Sequence, residues 1–408
     1  MRGRCWRAPQ EPPSPRRRPR RLRRVPGDRR GHTASAAAGR CDTVGVGQPS
    51  SVSRHNRVRA MCPTLLRSWP TRLGFWAGVS IVVMGVHAAA SISPLMVPGA
   101  SADPEGVSVA LFFDSTETAY RVADHLYATE PTSYPQPPTR VFVTNADDAH
   151  ERLLSGANPI VGMSLDDVIS LVDGDDPRAE DLVVIAGVHT GFLQLVTDPE
   201  IVETSMLRSH KVAVDTDTGY ASALFAILKS AGLQRDADYS VVYAGATNAR
   251  YEKLLNGDFQ ATLLGAPFTD LALMKGYRSQ GSIREQLGAY QGVVLTAKRS
   301  WLAGHAEEAD TAVTSLLRAE HWAMDPANRD EVLDVVAHAV PGLADREDVK
   351  AVSDTLFGPT SEYQPDGHLS PEGIAVVVDL YNTSRGRART AASVTDLIDY
   401  SYLPHAGR

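Results

Sequence analysis

The residues best suited to chemistry sit in short polar or glycine-containing turns that follow apolar runs. Lys211-Val212-Ala213-Val214 leads into Asp215-Thr216-Asp217-Thr218-Gly219-Tyr220, and helical spacing continues to Ser230. A turn placed between a strand and a helix directs the backbone N–H groups of Thr216 to Gly219, the Thr218 hydroxyl and the positive end of the helix dipole at whatever lies beyond the strand. That arrangement suits a carboxylate, sulfonate or phosphate. Asp215 and Asp217 repel such a group and leave a neutral or cationic ligand open, while plain helix capping by Asp217 or Thr218 is the competing structural reading. Gly245-Ala246-Thr247 forms a second strand-to-helix turn, whose small residues let a ligand approach the backbone. Gly162-Met163-Ser164-Leu165, Gly265-Ala266-Pro267-Phe268 and Asp114-Ser115-Thr116 complete the set of candidate contacts. Tyr220 and Phe268 each adjoin such a turn, where an aromatic ring either fills space around a guest or packs into the core.

Signatures of other chemistries are missing. The sequence has no phosphate-binding P-loop, no dinucleotide glycine fingerprint after its first strand, no G-x-S-x-G elbow and no H-E-x-x-H. Histidines after residue 103 are scattered singly, unlike the clustered spacing of a metal site. His189, followed by Thr190 and Gly191, is the one placed where a ligand contact or a base would be useful. No catalytic residue, cofactor or metal is expected.

The elements that position these turns alternate. β-rich apolar runs at 107–113, 139–143, 159–162, 182–187, 192–196, 211–215, 239–243, 261–264 and 292–296 are separated by helical patterns, which predicts an α/β architecture with largely parallel sheets. After residue 300 helical patterns dominate, with helices expected over 306–322, 329–339 and 371–382. An internal echo marks the middle of the chain. Glu151-Arg152-Leu153-Leu154-Ser155-Gly156 is matched by Glu252-Lys253-Leu254-Leu255-Asn256-Gly257, each reading as a helix end closed by glycine and followed by a short apolar strand and a glycine turn. Such repetition indicates two similar lobes, and open parallel sheets bind ligands beyond the carboxyl ends of their strands.

Residues 211–221, 227–233 and 238–239, together with Gly245–Tyr251, Leu254–Gly257 and Ala261–Pro267, resemble the second lobe of the nitrate, sulfonate and taurine (NMT1/THI5-like) class of periplasmic solute-binding proteins serving ABC importers. The likeness extends from about residue 145 to 300, loosens in the C-terminal helices and is poor over 107–135, where a Pro-rich loop follows Tyr120–Tyr127. The resemblance implies a type II periplasmic-binding-protein fold, two-lobed α/β, each lobe a mixed sheet flanked by helices. It also implies a small-molecule ligand held between the lobes, an importer permease as partner and a monomer in solution. Hinge crossings are expected at His189-Thr190-Gly191 and near Tyr290-Gln291-Gly292, where glycine supplies freedom for closure. An enzyme of the pyrimidine-precursor or menaquinone-pathway kind on the same scaffold is the alternative from another class, and a secreted ligand sensor differs only in its partner.

Charge is distributed very unevenly along the 408 residues. The first 60 carry sixteen Arg and three acids, whereas the part after residue 102 carries about −22 of a total net charge of −7. Residues 1–60 cannot build a core and are expected to be disordered or non-native upstream sequence; their basic run is not read as a nucleic-acid site. Residues 61–102 read as a signal peptide or N-terminal anchor: Arg67 and Arg72 precede an uncharged apolar run from Leu73, and Ala100-Ser101-Ala102 offers a cleavage pattern. An exported, extracytoplasmic protein follows, with lobe 1 over 103–190, lobe 2 over 191–291, and a return to lobe 1 with C-terminal helices over 292–408. Cys5, Cys41 and Cys62 all precede residue 103, so the exported part depends on packing rather than disulfides.

Overall fold

Strands buried on both faces need unbroken apolar runs, and this chain supplies them in two sets. The computed structural model describes residues 106–404; the segments 1–60 and 61–102, with the basic run and the export signal, lie outside the described residues. Lobe 1 is built from β1 (Ser108–Leu111), α1 (Ser115–Thr129), β2 (Thr139–Phe142), α2 (Ala146–Ser155), β3 (Ile160–Ser164), α3 (Leu165–Val172) and β4 (Leu182–Gly187). Lobe 2 comprises β5 (Gln194–Thr197), β6 (Lys211–Val214), α4 (Ala221–Ser230), β7 (Ser240–Tyr243), α5 (Thr247–Leu255), β8 (Ala261–Leu264), α6 (Phe268–Met274), β9 (Arg278–Ser282) and α7 (Ile283–Leu287). The chain returns through β10 (Val293–Lys298) and ends in α8 (Arg299–Leu302), α9 (Ala306–Ala323), α10 (Arg329–Ala339), α11 (Arg346–Phe357), α12 (Pro371–Arg385) and α13 (Ala391–Thr395).

Two five-stranded mixed sheets result, in the orders β2-β1-β3-β10-β4 and β7-β6-β8-β5-β9. The orders are equivalent when β6, β7 and β8 take the places of β1, β2 and β3. In each sheet the first three strands run parallel, and a strand arriving from the other lobe inserts antiparallel. The echo noted in the sequence falls on equivalent helices, α2 and α5, each joining the second strand of its sheet to the third. Both helix ends are closed by a left-handed glycine, Gly156 at φ 76° and Gly257 at φ 77°.

Three local expectations need correction. Gly162 lies inside β3, paired with Leu295 of β10, and forms no turn; the turn begins only at Ser164. β9 has the polar sequence Arg-Ser-Gln-Gly-Ser, which carries no apolar signal because it is an edge strand hydrogen-bonded to β5 alone. The C-terminal helices do not confine themselves to lobe 1. α12 packs on both α3 and α4, and Ser384 Oγ lies 3.3 Å from Ser222 Oγ of lobe 2.

The two crossings run side by side. The Gly292 N–H donates to the His189 carbonyl at 3.1 Å, and a Cβ at Gly292 would stand 2.7 Å from both Gly191 N and His189 O, so glycine is required by close backbone approach. A segment before α12 clasps this pair: Glu362 Oε2 accepts from the Phe192 N–H at 2.8 Å and from the Thr190 hydroxyl at 3.1 Å, and the Gln291 and Gln364 amides bond to each other in both directions. Among the described residues no helix is long and apolar enough to cross a membrane.

Candidate functional site

The carboxyl ends of the parallel strands in the two sheets meet. Beyond β2 and β7 the Ala246 N–H donates to the Thr144 carbonyl at 2.8 Å, and beyond β3 and β6 the Gly219 N–H donates to Asp166 Oδ1 at 3.0 Å. Between these two links lies a small cavity of about 20 Å³, room for roughly one water. Lobe 1 lines it with Phe112, Asp114, Ser164, Asp167 and Val293. Lobe 2 contributes Asp215, Gly219, Tyr220, Thr247 and Arg250. The lobes are therefore closed onto one another, and a larger guest requires them to part.

Local structure fixes each of these groups. Asp114 caps α1, accepting from the Thr116 N–H at 2.9 Å, as an aspartate at a helix start commonly does. Ser164 ends β3 and caps α3: its hydroxyl accepts from the Asp167 N–H at 3.1 Å and donates to Asp167 Oδ2 at 2.7 Å. Asp167 Oδ1 lies 3.3 Å from His150 Nε2. On lobe 2, Arg250 projects from α5 and is only 4% exposed. It donates through Nη1 to the Gly245 carbonyl at 2.7 Å, and through Nη2 to Thr247 Oγ1 at 3.2 Å and the Leu263 carbonyl at 3.3 Å. Asp215 Oδ1 stands 3.9 Å from Arg250 Nη1.

Burial dominates the electrostatics. It pushes the Asp114 carboxyl up to about 7, with the Thr116 hydrogen bonds and Arg250 offsetting only part of the shift. Asp166 also rises to about 7, through burial and the neighbouring Asp167. Asp215 is raised by burial against the pull of Arg250. Burial would raise Asp167 too, but His150 and the hydroxyls of Ser164 and Thr218 hold it below the usual carboxylate range. The site holds more carboxyl groups than cations, in surroundings that charge them reluctantly.

Of the residues read from the sequence, the structure places Asp114, Ser164, Gly219, Tyr220 and Thr247 on the cavity. Thr216 and Thr218 stand behind it, their hydroxyls 2.9 Å apart. Neither Thr218 nor Asp217 caps α4, whose N-cap Tyr220 makes no side-chain cap; Asp217 points outward to Arg235 and to the Tyr243 hydroxyl. Gly245 (φ 87°) lies at the interlobe contact, where a Cβ would meet the Thr144 carbonyl at 3.2 Å. The other candidates lie elsewhere. Ser115 is buried, with its carbonyl accepting from the Tyr363 hydroxyl. His189 and Thr190 belong to the crossing: the His189 ring packs against Phe192 and Tyr363 with neither nitrogen bonded, and burial lowers it to about 3, a neutral core imidazole. Gly265 and the cis-bonded Pro267 are not on the cavity. Phe268 is core, packed between Phe113 and Tyr251.

Sequence reading missed Asp167, Arg250 and the wall residues Phe112 and Val293. Arg250 sits in the helical run after Gly245-Ala246-Thr247, three residues along from Thr247 and so on the same helix face; that spacing was the available signal. Asp167 stands at the third position of α3 after Ser164, the spacing of a capping pair.

A larger cavity, of about 490 Å³, lies between α1 and α10 and is lined by Phe113, His125, Val335, His338 and Pro341 among others. None of its lining residues comes from lobe 2, so it is not the cleft despite its size.

Gly219 is a point of close approach between the lobes. It adopts φ 60°, and a Cβ there would stand 2.8 Å from Asp167 Oδ2 across the lobe boundary. Gly219→Ala is expected to cost about 1–2 kcal/mol from the left-handed backbone and to hold the lobes apart. Urea unfolding measures the first effect and an increased radius of gyration in small-angle scattering the second; an unchanged radius would show that this contact does not gate closure.

Residues 198–337 match the model of the NMT1-like family, which covers most of the segment whose motifs resemble the nitrate, sulfonate and taurine class. The chain has the fold of the alkanesulfonate-binding protein SsuA from Xanthomonas axonopodis pv. citri, bound to MOPS, at 16% identity and a TM-score of 0.56 over 73% of this chain and 99% of that one. It has equally the fold of the periplasmic nitrate-binding protein NrtA from Synechocystis PCC 6803, at 12% identity and 0.57 over 73% and 86%. The ligand-binding component of an ABC-type import system from Staphylococcus aureus, with zinc bound, matches at 13% identity and 0.57 over 72% and 97%. No curated protein matches the chain in sequence.

Proposed function

We propose that this chain, with its NMT1-like segment and two-lobed periplasmic-binding-protein fold, is the extracytoplasmic solute-binding component of an ABC importer, a monomer that captures a small molecule and delivers it to a permease. The observation that carries the reading is the cavity walled by strand-end turns of both lobes and sealed by the Thr144–Ala246 and Asp166–Gly219 hydrogen bonds. A site shared between hinged halves couples occupancy to shape, because a ligand that touches both walls shifts the population toward the closed form. The permease then distinguishes loaded from empty protein by that shape. The ligand contacts assigned are Asp114, Ser164, Gly219, Tyr220 and Thr247, joined by Asp167, Asp215 and Arg250. The family class and the named relatives support binding and transport over catalysis. Export rests on the reading of residues 61–102; detection of a processed form starting near Asp103 would favour it over a biosynthetic enzyme on the same scaffold, which needs no secretion signal.

The test is direct. Purified protein is denatured, freed of small molecules by dialysis and refolded, and the released fraction is analysed by mass spectrometry. A small molecule should be recovered whose return lowers the radius of gyration in small-angle scattering. If no added or recovered small molecule changes the radius, the lobes are not a ligand trap and the reading fails.

A further inference from the structure

The strand-end turn before α4 is a natural anion site by its N–H groups and helix dipole, yet in this molecule that site is already taken. The Gly219 N–H is bonded to the Asp166 carboxylate of the opposite lobe at 3.0 Å. An incoming sulfonate or nitrate would have to displace a carboxylate supplied by the protein. The walls repeat the point. Three carboxyl groups line the cavity, those of Asp114, Asp167 and Asp215, against one guanidinium, Arg250. Arg250 is itself committed, with both Nη atoms spent on the Gly245 and Leu263 carbonyls and Thr247 and Asp215 only 3.9 Å away.

Two further groups point to a ligand. Arg250, 4% exposed, has its Nε without a partner, and the Tyr220 hydroxyl beside it has none either. Buried donors are rarely left unmatched. On the facing wall Asp167, 3% exposed, has His150 Nε2 3.3 Å from its Oδ1 and no other partner at that oxygen. The cavity therefore sets three carboxyl groups, Asp114 and Asp167 of lobe 1 and Asp215 of lobe 2, around the unmet donors of Arg250 and Tyr220.

We propose that the ligand is a compact nitrogen base, meeting Asp114, Asp167 and Asp215 with a cationic or N–H-rich edge and offering one acceptor to Arg250 Nε and the Tyr220 hydroxyl. This deepens the solute-binding reading and rests on it. It sets the chain apart in charge preference from the alkanesulfonate- and nitrate-binding proteins that share its fold. Binding would relieve the mutual repulsion of the carboxylates brought together by closure, so the positive charge itself draws the lobes shut.

Two pairs of probes of matched shape and opposite charge test the proposal on the full chain: guanidinium against nitrate, and benzamidinium against benzenesulfonate. Titrations followed by thermal shift at constant ionic strength, with scattering to read closure, should give at least one cation a dissociation constant tenfold or more below that of its anion. The Asp114→Asn/Asp215→Asn double variant should lose about tenfold in cation affinity and narrow the preference. An anion that binds as well as its cationic partner, or no response to either cation, overturns the charge assignment. The two failures are distinguishable: a bound anion that still shrinks the radius of gyration leaves the solute-binding reading intact, whereas that reading falls only when no small molecule changes the radius.

Discussion

Replacing Arg250 by methionine is expected to lower unfolding stability by about 3–5 kcal/mol, the range found when one partner of a buried ion pair is removed. Methionine fills similar volume, so packing loss is small. What remains is a set of unanswered acceptors: the Gly245 and Leu263 carbonyls, the Thr247 hydroxyl and the Asp215 carboxyl, all bonded or paired to the guanidinium in the native protein. Lysine would not rescue the site, because one ammonium cannot span the fork from Gly245 to Leu263. Urea titration should show a lower midpoint with an unchanged slope. A loss under about 1 kcal/mol would mean that water already satisfies these groups and that the Arg250 side of the cavity is open to solvent. Ligand affinity should fall as well, since the same side chain carries the unpartnered Nε.

The second large effect concerns pH. Glu320 on α9 is 0% exposed, neither carboxyl oxygen has a partner, and burial, with Asp366 adding to it, pushes the group well above the usual range. Asp114 and Asp166 are raised to about 7 and Asp270 to about 6, in each case mainly by burial. A carboxyl with a raised native pKa keeps its proton while the unfolded chain releases it near pH 4. Stability therefore falls as pH rises, by about 1.4 kcal/mol per unit for each such group, until the native group itself ionises. Carboxyls held low by partners, such as Asp217 beside Arg235 and Asp354 beside Arg329, act in the opposite sense and lose their contribution only at lower pH. The unliganded protein should be most stable near pH 4–5 and lose several kcal/mol, roughly, by pH 8. Glu320→Leu should raise stability at pH 8 by about 1–3 kcal/mol, by removing an unpartnered buried polar group, with a smaller gain at pH 5. Thermal or urea melts across that range decide it; a flat profile, or a destabilised variant, would show that Glu320 finds a partner in solution.

Much of the scaffold was legible in the sequence because strands buried on both faces must be apolar throughout. β4 and β8 begin and end where the apolar runs begin and end, and α10 spans the predicted helix residue for residue. β9 escaped because an edge strand can be polar on both faces. His189 looked functional because a histidine beside glycine at a crossing invites that reading; burial against Phe192 and Tyr363 makes it core. Phe268 was similarly ambiguous, since an aromatic ring after a turn packs inward or lines a cleft with the same local sequence.

By itself the sequence determined two repeated lobes, their strand-end turns and the helices that follow, because these depend on local patterns of apolar spacing, capping and glycine conformation. Tertiary structure alone decided which turns converge and with what charge. Asp166 and Gly219 are 53 positions apart in the chain yet share a hydrogen bond, and Asp167 of α3, Arg250 of α5 and Asp114 at the cap of α1 reach one cavity. Affinity for a charged guest follows from the sum of such neighbours in a poorly screened interior, and that sum is fixed by how the lobes meet.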